Sequence, residues 1–513
     1  MFIYAYTITM KRILIFFFPA ALFFSAFLII PAFPASENSL IYLRSSDATS
    51  LDPLLSRDKF SSEVILNIFE GLVRFKKGSL DIEPCIAESW QVKDDGKKWL
   101  FFIRKGITFH NREECSAHSV VASFQRNMEE KAAPVEKWEM FYPYIKTIKA
   151  LDKYTVEICL TQPYAPLLAA LTTTSAVIAA SASYTPDGFK PIGTGPFMFE
   201  RWEKGNYLAI KRNDYYWDGP VLLSGVIFKT IANPAARTMQ VKTGNADITR
   251  IRSAREYEEF YGKKEISICS SPSFRVHYLA FNTRKFPFTK IETRKAMAHL
   301  INKSGLVKHI YQNLAIPAIT PIPPQLFGFN AEINDFDYNI PKAKELLRQA
   351  GLEKGFSCNL YFSGKNIGQL QLANIITKNA KRVNINIKKV PLSFKELVDR
   401  CDRGEHDLVI MGWMNAPDPD LFFYPLFTNT RGNVNRSFYQ NPQLTSLLDK
   451  AKAVLDLEER IRYYKEAQVI IHRDVPWIPL FHLKSLAAHQ KRVKNLYFNP
   501  NDVLIFRHTT KEE

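Results

Sequence analysis

Cysteine and glycine are scarce in this chain of 513 residues, which holds six of the one and 21 of the other. The cysteines, Cys85, Cys115, Cys159, Cys269, Cys358 and Cys401, stand far apart and none falls in a CxxC pair. That spacing argues against zinc-ribbon and thioredoxin-type sites. The ten histidines are scattered, and no HExxH motif puts two of them on one helix face. No GxSxG elbow occurs. Gly193-Thr194-Gly195-Pro196 is no phosphate cradle, because the proline removes an amide donor and no Lys-Ser/Thr follows. It reads instead as a strained turn between lobes. Carboxylates are plentiful, yet no pair stands out as acid and base. Long Lys/Arg blocks are missing too, so nucleic acid is not an expected partner. These absences leave no metal or cofactor to expect, and a secreted enzyme only as the lesser alternative to a binding protein.

What is present is an ordinary globular composition, 46% hydrophobic and 23% charged. The length asks for more than one core. The formal charge is +17, and about +15 without Lys11 and Arg12; its dispersal reads as a solvated basic surface. Lys11-Arg12 precede an almost unbroken apolar run, Ile13 to Ile30, and then small residues and prolines to Ala35. Basic, apolar, small is the order of a secretory signal. We expect residues 1–35 to be removed, with Met10 a candidate start, and the protein to work in the periplasm. No cysteine stands near the cleavage region, so a soluble exported protein is expected rather than a lipoprotein. An oxidising compartment permits disulfides, but six cysteines allow 15 connectivities and the sequence does not choose.

Periodicity gives an α/β pattern. Strands are expected at Leu40–Leu43, Trp99–Arg104, Thr155–Leu160, Tyr207–Lys211, Val226–Ile231, Val276–Asn282 and Asp407–Met411. Helices are expected over Ser61–Phe69 with Gly71 as C-cap, Ala117–Met128, Pro341–Ala350, and from Asn441-Pro442 through Leu455. Asp94-Asp95-Gly96 signals a hairpin turn.

A series of short motifs then becomes informative through its order. Glu70-Gly71-Leu72-Val73, Ala87-Glu88-Ser89-Trp90, Asp94-Asp95-Gly96 and Arg104-Lys105-Gly106-Ile107-Thr108-Phe109-His110 come first. Gly193-Thr194-Gly195-Pro196-Phe197, Trp202, Tyr215-Tyr216-Trp217 and Leu279-Ala280-Phe281-Asn282-Thr283 follow. Asp418-Pro419-Asp420, Tyr439-Gln440-Asn441-Pro442 and Pro476-Trp477-Ile478-Pro479-Leu480 complete it. From Leu40 onward the chain resembles the extracytoplasmic solute-binding proteins of peptide-type ABC transporters, the dipeptide, oligopeptide and nickel class. The resemblance implies a two-lobed periplasmic binding protein (Venus-flytrap, class II) with an extra small subdomain. It implies a first lobe from 36–75, 191–268 and 475–513, a small subdomain over 76–190 and a second lobe over 269–474. A monomer that takes a peptide or other small solute and hands it to an inner-membrane ABC permease is the function implied.

Candidate ligand-binding residues are Thr49, Phe109, His110, Tyr278, Ala280, Gly412, Trp413, Asn415, Asp418 and Tyr439. The turn Gly412-Trp413-Met414-Asn415-Ala416-Pro417-Asp418-Pro419-Asp420 is the expected cleft wall, with Trp413 packed over a ligand backbone. Ile107–His110 and Val276–Asn282 are expected to offer backbone groups. In peptide-binding relatives an aspartate shortly after the Gly-Trp pair holds the ligand's ammonium. Counting from Trp413 places Ala416 there, one residue short of the usual turn, so Asp418 is the candidate replacement and the cargo stays open between peptide and another small solute such as a nickel chelate or an opine.

Overall fold

The computed structural model describes residues 38–56, 58–129, 141–186, 188–312, 314–428 and 434–512. The leader, and the signal-peptide reading with it, lies outside the described residues. An 11-stranded sheet forms the spine. One half carries, in spatial order, Phe197–Glu203, Tyr207–Arg212, Gly225–Thr230, Ser39–Arg44 and Ile248–Arg250. Next come the two longest strands, Trp477–Gln490 and Ile266–Phe281, and then Leu408–Trp413, Phe356–Ser363 and Ile385–Leu392. Both faces are covered, so strands read as near-continuous apolar runs. Leu408 and Ile410 enter one core of the second half, Val409 and Met411 the other. Leu40 and Tyr42 enter one core of the first half, Leu43 the opposite one. The period of two along each strand divides these neighbours.

The chain passes between the halves along Ile266–Phe281 and returns along Trp477–Gln490. These strands pair antiparallel, with register shifts between Pro272 and Val276 and between His277 and Tyr278. The expected strand Val276–Asn282 is therefore only the far half of a 16-residue strand. Proline and three small or polar neighbours, Ser270, Ser271 and Ser273, hide its near half from a hydrophobic reading.

A separate core gathers residues from Leu72 to Ala180. Its sheet runs Ala87–Lys93, Lys98–Ile103, Thr155–Leu160, Ile145–Asp152. Helix Ala117–Met128 contributes Val120 and Phe124 to that core.

Three expectations need correction. Helix Lys59–Ile68 ends on Phe69, and Gly71 sits in a short strand rather than capping it. Leu455 lies beyond the end of helix Pro442–Ala453 and is exposed. The Gly193–Gly195 turn is not strained, since neither glycine has positive φ. These glycines serve close approach: a Cβ on Gly193 or Gly195 would stand 2.2 or 2.5 Å from the Ile68 carbonyl oxygen.

Candidate functional site

The junction of the two halves is built around the register shift. There Arg275 reaches from the crossing strand to the second half, its Nη2 4.0 Å from the Met414 sulfur. From the first half Arg252 lies over the Phe60 ring at 5.4 Å. Phe60 belongs to helix Lys59–Ile68, whose N-cap Asp58 accepts from the Ser61 amide and hydroxyl. Thr49 sits on the same cap, its amide donating to Ser61 Oγ at 2.9 Å and its hydroxyl to Asp58. Thr49, the helix cap and Phe60 with Arg252 are thus grouped on the first half, and Arg275 with Met414 on the side of the second.

The turn itself follows from its sequence. Strand Leu408–Trp413 ends, Asn415 Oδ1 accepts from the Ala416 amide, and Asp420 opens helix Asp420–Phe427. Trp413, Met414 and Asn415 are half-buried, and the Trp413 indole donates to the Leu421 carbonyl at 2.9 Å. Gly412 packs closely on its neighbour: a Cβ there would stand 3.3 Å from the His277 ring.

On the first half, Thr49 and His110 line one groove of about 1030 Å³ with Arg126, Phe189, Trp202 and Lys211. His110 accepts from the Gly193 amide through Nδ1 and donates through Nε2 to the Gly195 carbonyl. Burial pushes this imidazole down to about 4, so it is neutral with its proton on Nε2.

Of the sequence candidates, Thr49, His110, Gly412, Trp413 and Asn415 stand at these surfaces. The other five are turned inward. Phe109 is 2% exposed in the small core. Tyr278 and Ala280 pack in the second half, Tyr278 edge-on against Trp477 with centroids 4.1 Å apart. Their strand is hydrogen-bonded on both sides, to Leu408–Trp413 and Trp477–Gln490, so Val276–Phe281 has no free edge for a ligand. The Ile107–His110 segment is occupied likewise: the Phe109 amide donates to Glu113 and that of His110 to Gly193. Tyr439 is buried, donating to Asp474 and accepting from Asn441. Asp418 is 4% exposed and ion-paired to Arg460 Nη2 at 2.8 and 3.0 Å. It also accepts from the Asp420 amide at 2.9 Å, the turn-capping role of an aspartate before proline. Asp418 is therefore not available as an ammonium anchor.

Sequence reasoning passed over Arg275 and Arg252, since lone arginines carry no motif. It also passed over His277 and His482, neighbours on the crossing strands, the first with neither ring nitrogen hydrogen-bonded and the second facing the backbone of Arg275 and Thr320. Burial pushes them down to about 3 and about 4, and Arg275 adds repulsion at His277. All six cysteines are free. Among the described residues no cluster of three or more His, Cys, Asp or Glu side chains could hold a metal ion.

A two-lobed α/β architecture whose halves meet along a pair of adjacent long strands defines the class of protein. The chain belongs to the bacterial extracellular solute-binding proteins, family 5, whose middle-region profile matches residues 81–434. Among its relatives, the dipeptide-binding protein of Escherichia coli is 30% identical over 465 residues, covering 84% of this chain and 87% of that protein. Heme-binding protein A of Haemophilus influenzae is 29% identical over 498 residues, 91% of each. Among solved structures, the periplasmic binding protein DppA of Helicobacter pylori, in complex with the peptide STSA, is 32% identical. It superposes with a TM-score of 0.81 over 93% of this chain and 98% of that one.

Proposed function

We propose that this protein is the solute-capturing component of an ABC importer, not an enzyme: it takes a peptide in the periplasm, closes its lobes and presents the cargo to an inner-membrane permease. The carrying observation is the crossing. Two halves with separate cores are joined along two adjacent strands whose register breaks between Pro272 and Val276, and such a junction permits rotation of one half on the other. Only contacts made to both halves at once favour closure. Thr49, His110, Gly412, Trp413 and Asn415 are the proposed contact surfaces, with the small core around Leu72–Ala180 moving with the first lobe. The peptide-bound Helicobacter pylori relative supports a peptide as cargo.

A thermal melt of the mature protein tests this reading. Dipeptides and tetrapeptides in millimolar excess are expected to raise Tm, by mass action on the folded state. Native mass spectrometry of the protein as purified then identifies what it carries. No rise with any peptide, together with a non-peptide mass in the native spectrum, overturns peptide capture and leaves the fold intact.

The ion pair of Asp418 with Arg460 favours one variation. With that carboxylate committed and Ala416 at the other candidate position, the cleft lacks the expected ammonium anchor. A cargo without a free amine, including a non-peptide solute, is compatible with such a site.

A further inference from the structure

A second void lies apart from the groove of Thr49 and His110, and none of its lining residues lines that groove. It measures about 90 Å³, where the end of helix Lys59–Ile68, the Glu70–Lys77 segment, the Leu171–Thr173 turn and the hairpin of Tyr497–Phe498 with Leu504–Ile505 meet. Its floor is apolar. Phe69 and Val177 come from the first-lobe core, Val73 and Leu171 from the small core, and Leu66 and Ile505 stand beside them.

The polar groups around the void divide into two sets. Glu70 is engaged: it accepts from the Tyr216 hydroxyl at 2.7 Å, the Trp217 indole at 2.8 Å and the Thr194 hydroxyl at 3.0 Å. Arg74 is paired with Glu83 at 2.8 Å and Asp218 at 2.6 Å, and Arg507 with the same Asp218. The other set is free. Among the described residues no carboxylate is within ion-pair reach of Lys76 or Lys77, and Lys77 stands over the Tyr497 ring at 5.4 Å. Among those residues, too, the Tyr497 hydroxyl has no acceptor. Nor has the amide nitrogen of Asn499, whose Oδ1 accepts from the Val503 amide at 3.0 Å. All four free groups are donors, and two are cations. A donor rim around an apolar floor fits an ion with one acceptor end and one hydrocarbon end. The void is smaller than the ~150 Å³ that admits a benzene ring, so the hydrocarbon end is a chain of about four carbons rather than a ring.

We propose that this void is a second ligand site, between the first lobe and the small core, for a short aliphatic carboxylate of about the size of butyrate. The chain covers Phe69, Val73, Leu171 and Val177, and the carboxylate meets Lys76, Lys77, the Tyr497 hydroxyl and the Asn499 amide group. Such an occupant touches both cores at once and braces the small core against the first lobe. The site goes beyond solute capture and does not depend on it.

The test is ligand-observed NMR titration of the mature protein with butyrate, butyramide and benzoate, with and without an excess of the tetrapeptide Ser-Thr-Ser-Ala. Butyrate is expected to bind with a Kd of about 1 mM, within reach of a ligand of about six heavy atoms. Butyramide, without the charge, should bind about tenfold more weakly, and benzoate, too wide for the void, about tenfold more weakly as well. The peptide should leave the butyrate titration unchanged, since the groove and the void share no residue. In the double variant Lys76→Met, Lys77→Met, at two exposed positions, the butyrate-to-butyramide ratio should fall to near one. Leu66→Trp, at a half-buried position on helix Lys59–Ile68, fills the void and should abolish butyrate binding. Should that variant fail to fold, the double lysine variant decides alone. Butyrate and butyramide binding equally to the parent, butyrate binding unaltered in a folded variant, or butyrate displaced by the peptide overturns the site and leaves solute capture standing. No butyrate binding at tens of millimolar overturns the site as well.

Discussion

His277 and His482 are buried imidazoles placed where the two lobes join; neither nitrogen of His277 has a hydrogen-bond partner, and His482 faces the backbone of Arg275 and Thr320. Around them stand Arg275, Lys303, Phe481 and Tyr311 and, among the described residues, no carboxylate that would repay a proton. Both are held below the ordinary histidine value, so the unfolded chain binds protons that the fold refuses. Stability is full above about pH 6.5 and falls as the pH drops toward the folded values, about 3 and about 4. At pH 5 the loss is about 2 kcal/mol for each ring. Glu63 and Asp420, pushed up to about 7 chiefly by burial, act in the opposite sense. The comparison must therefore be differential. Urea unfolding at pH 7.5 and pH 5 is expected to give a smaller pH dependence in His277→Phe than in the parent, by about 2 kcal/mol. An unchanged difference would mean that His277 is charged or solvated in the folded protein. Nothing in the sequence marked these residues. A histidine inside an apolar strand has no spacing signal, and its burial depends on which strand lies beside it. The arginines escaped notice for the same reason: what distinguishes Arg275 is the missing partner, a fact of the neighbourhood.

At the scale of elements, much was legible. Helix Ala117–Met128 and strand Thr155–Leu160 appear with the bounds their periodicity gave. Asn441 caps its helix through the Leu444 amide at 3.1 Å, as Asn-Pro predicts. Local chemistry decides such features. The hinge strand was only half legible, because pairing across 200 residues holds Ser270, Ser271 and Pro272 in a strand that their own propensities disfavour. The Gly-Thr-Gly-Pro segment was found but misjudged. Its glycines admit the end of helix Lys59–Ile68, with the Gly195 amide donating to the Ile68 carbonyl at 2.9 Å. Gly195→Ala would drive a Cβ into that backbone oxygen, where no side chain can swing away. The expected cost is about 1–3 kcal/mol or more, read as a lower urea midpoint at unchanged slope. A midpoint within error of the parent would mean that this turn and helix do not meet so closely in solution.

Taken whole, the molecule has a second meeting of its parts, away from the hinge. The Ala165 amide of the small core donates to the Lys452 carbonyl at 2.8 Å. The Lys452 ammonium lies 3.5 Å from the Tyr424 ring centroid and 5.7 Å from that of Tyr144. Leu455 packs beside Gly96. These contacts join the small core to the second lobe and would part if the lobes opened. Lys452→Ala removes the cation that faces Tyr144 while leaving the backbone bond. It is expected to weaken ligand binding about two- to fivefold, matching a cation–π contact of about 0.5–1 kcal/mol. Small-angle scattering should report a larger radius for the ligand-free variant. Equal affinity and equal radius would place this contact in the open state as well.

The crossing strands also set when this protein can fold. Strand Ile248–Arg250 pairs with Trp477–Gln490, and the ring of Tyr42, from the first described strand, packs 6.2 Å from that of Phe506. The sheet and core of the first lobe therefore close only once Trp477–Gln490 and Phe506 are in place. The intervening residues cannot hasten it, since their own sheet also borrows from Trp477–Gln490. The pairing thereby couples the two lobes in folding: neither half completes its sheet until the one segment Trp477–Gln490, shared by both, is in place.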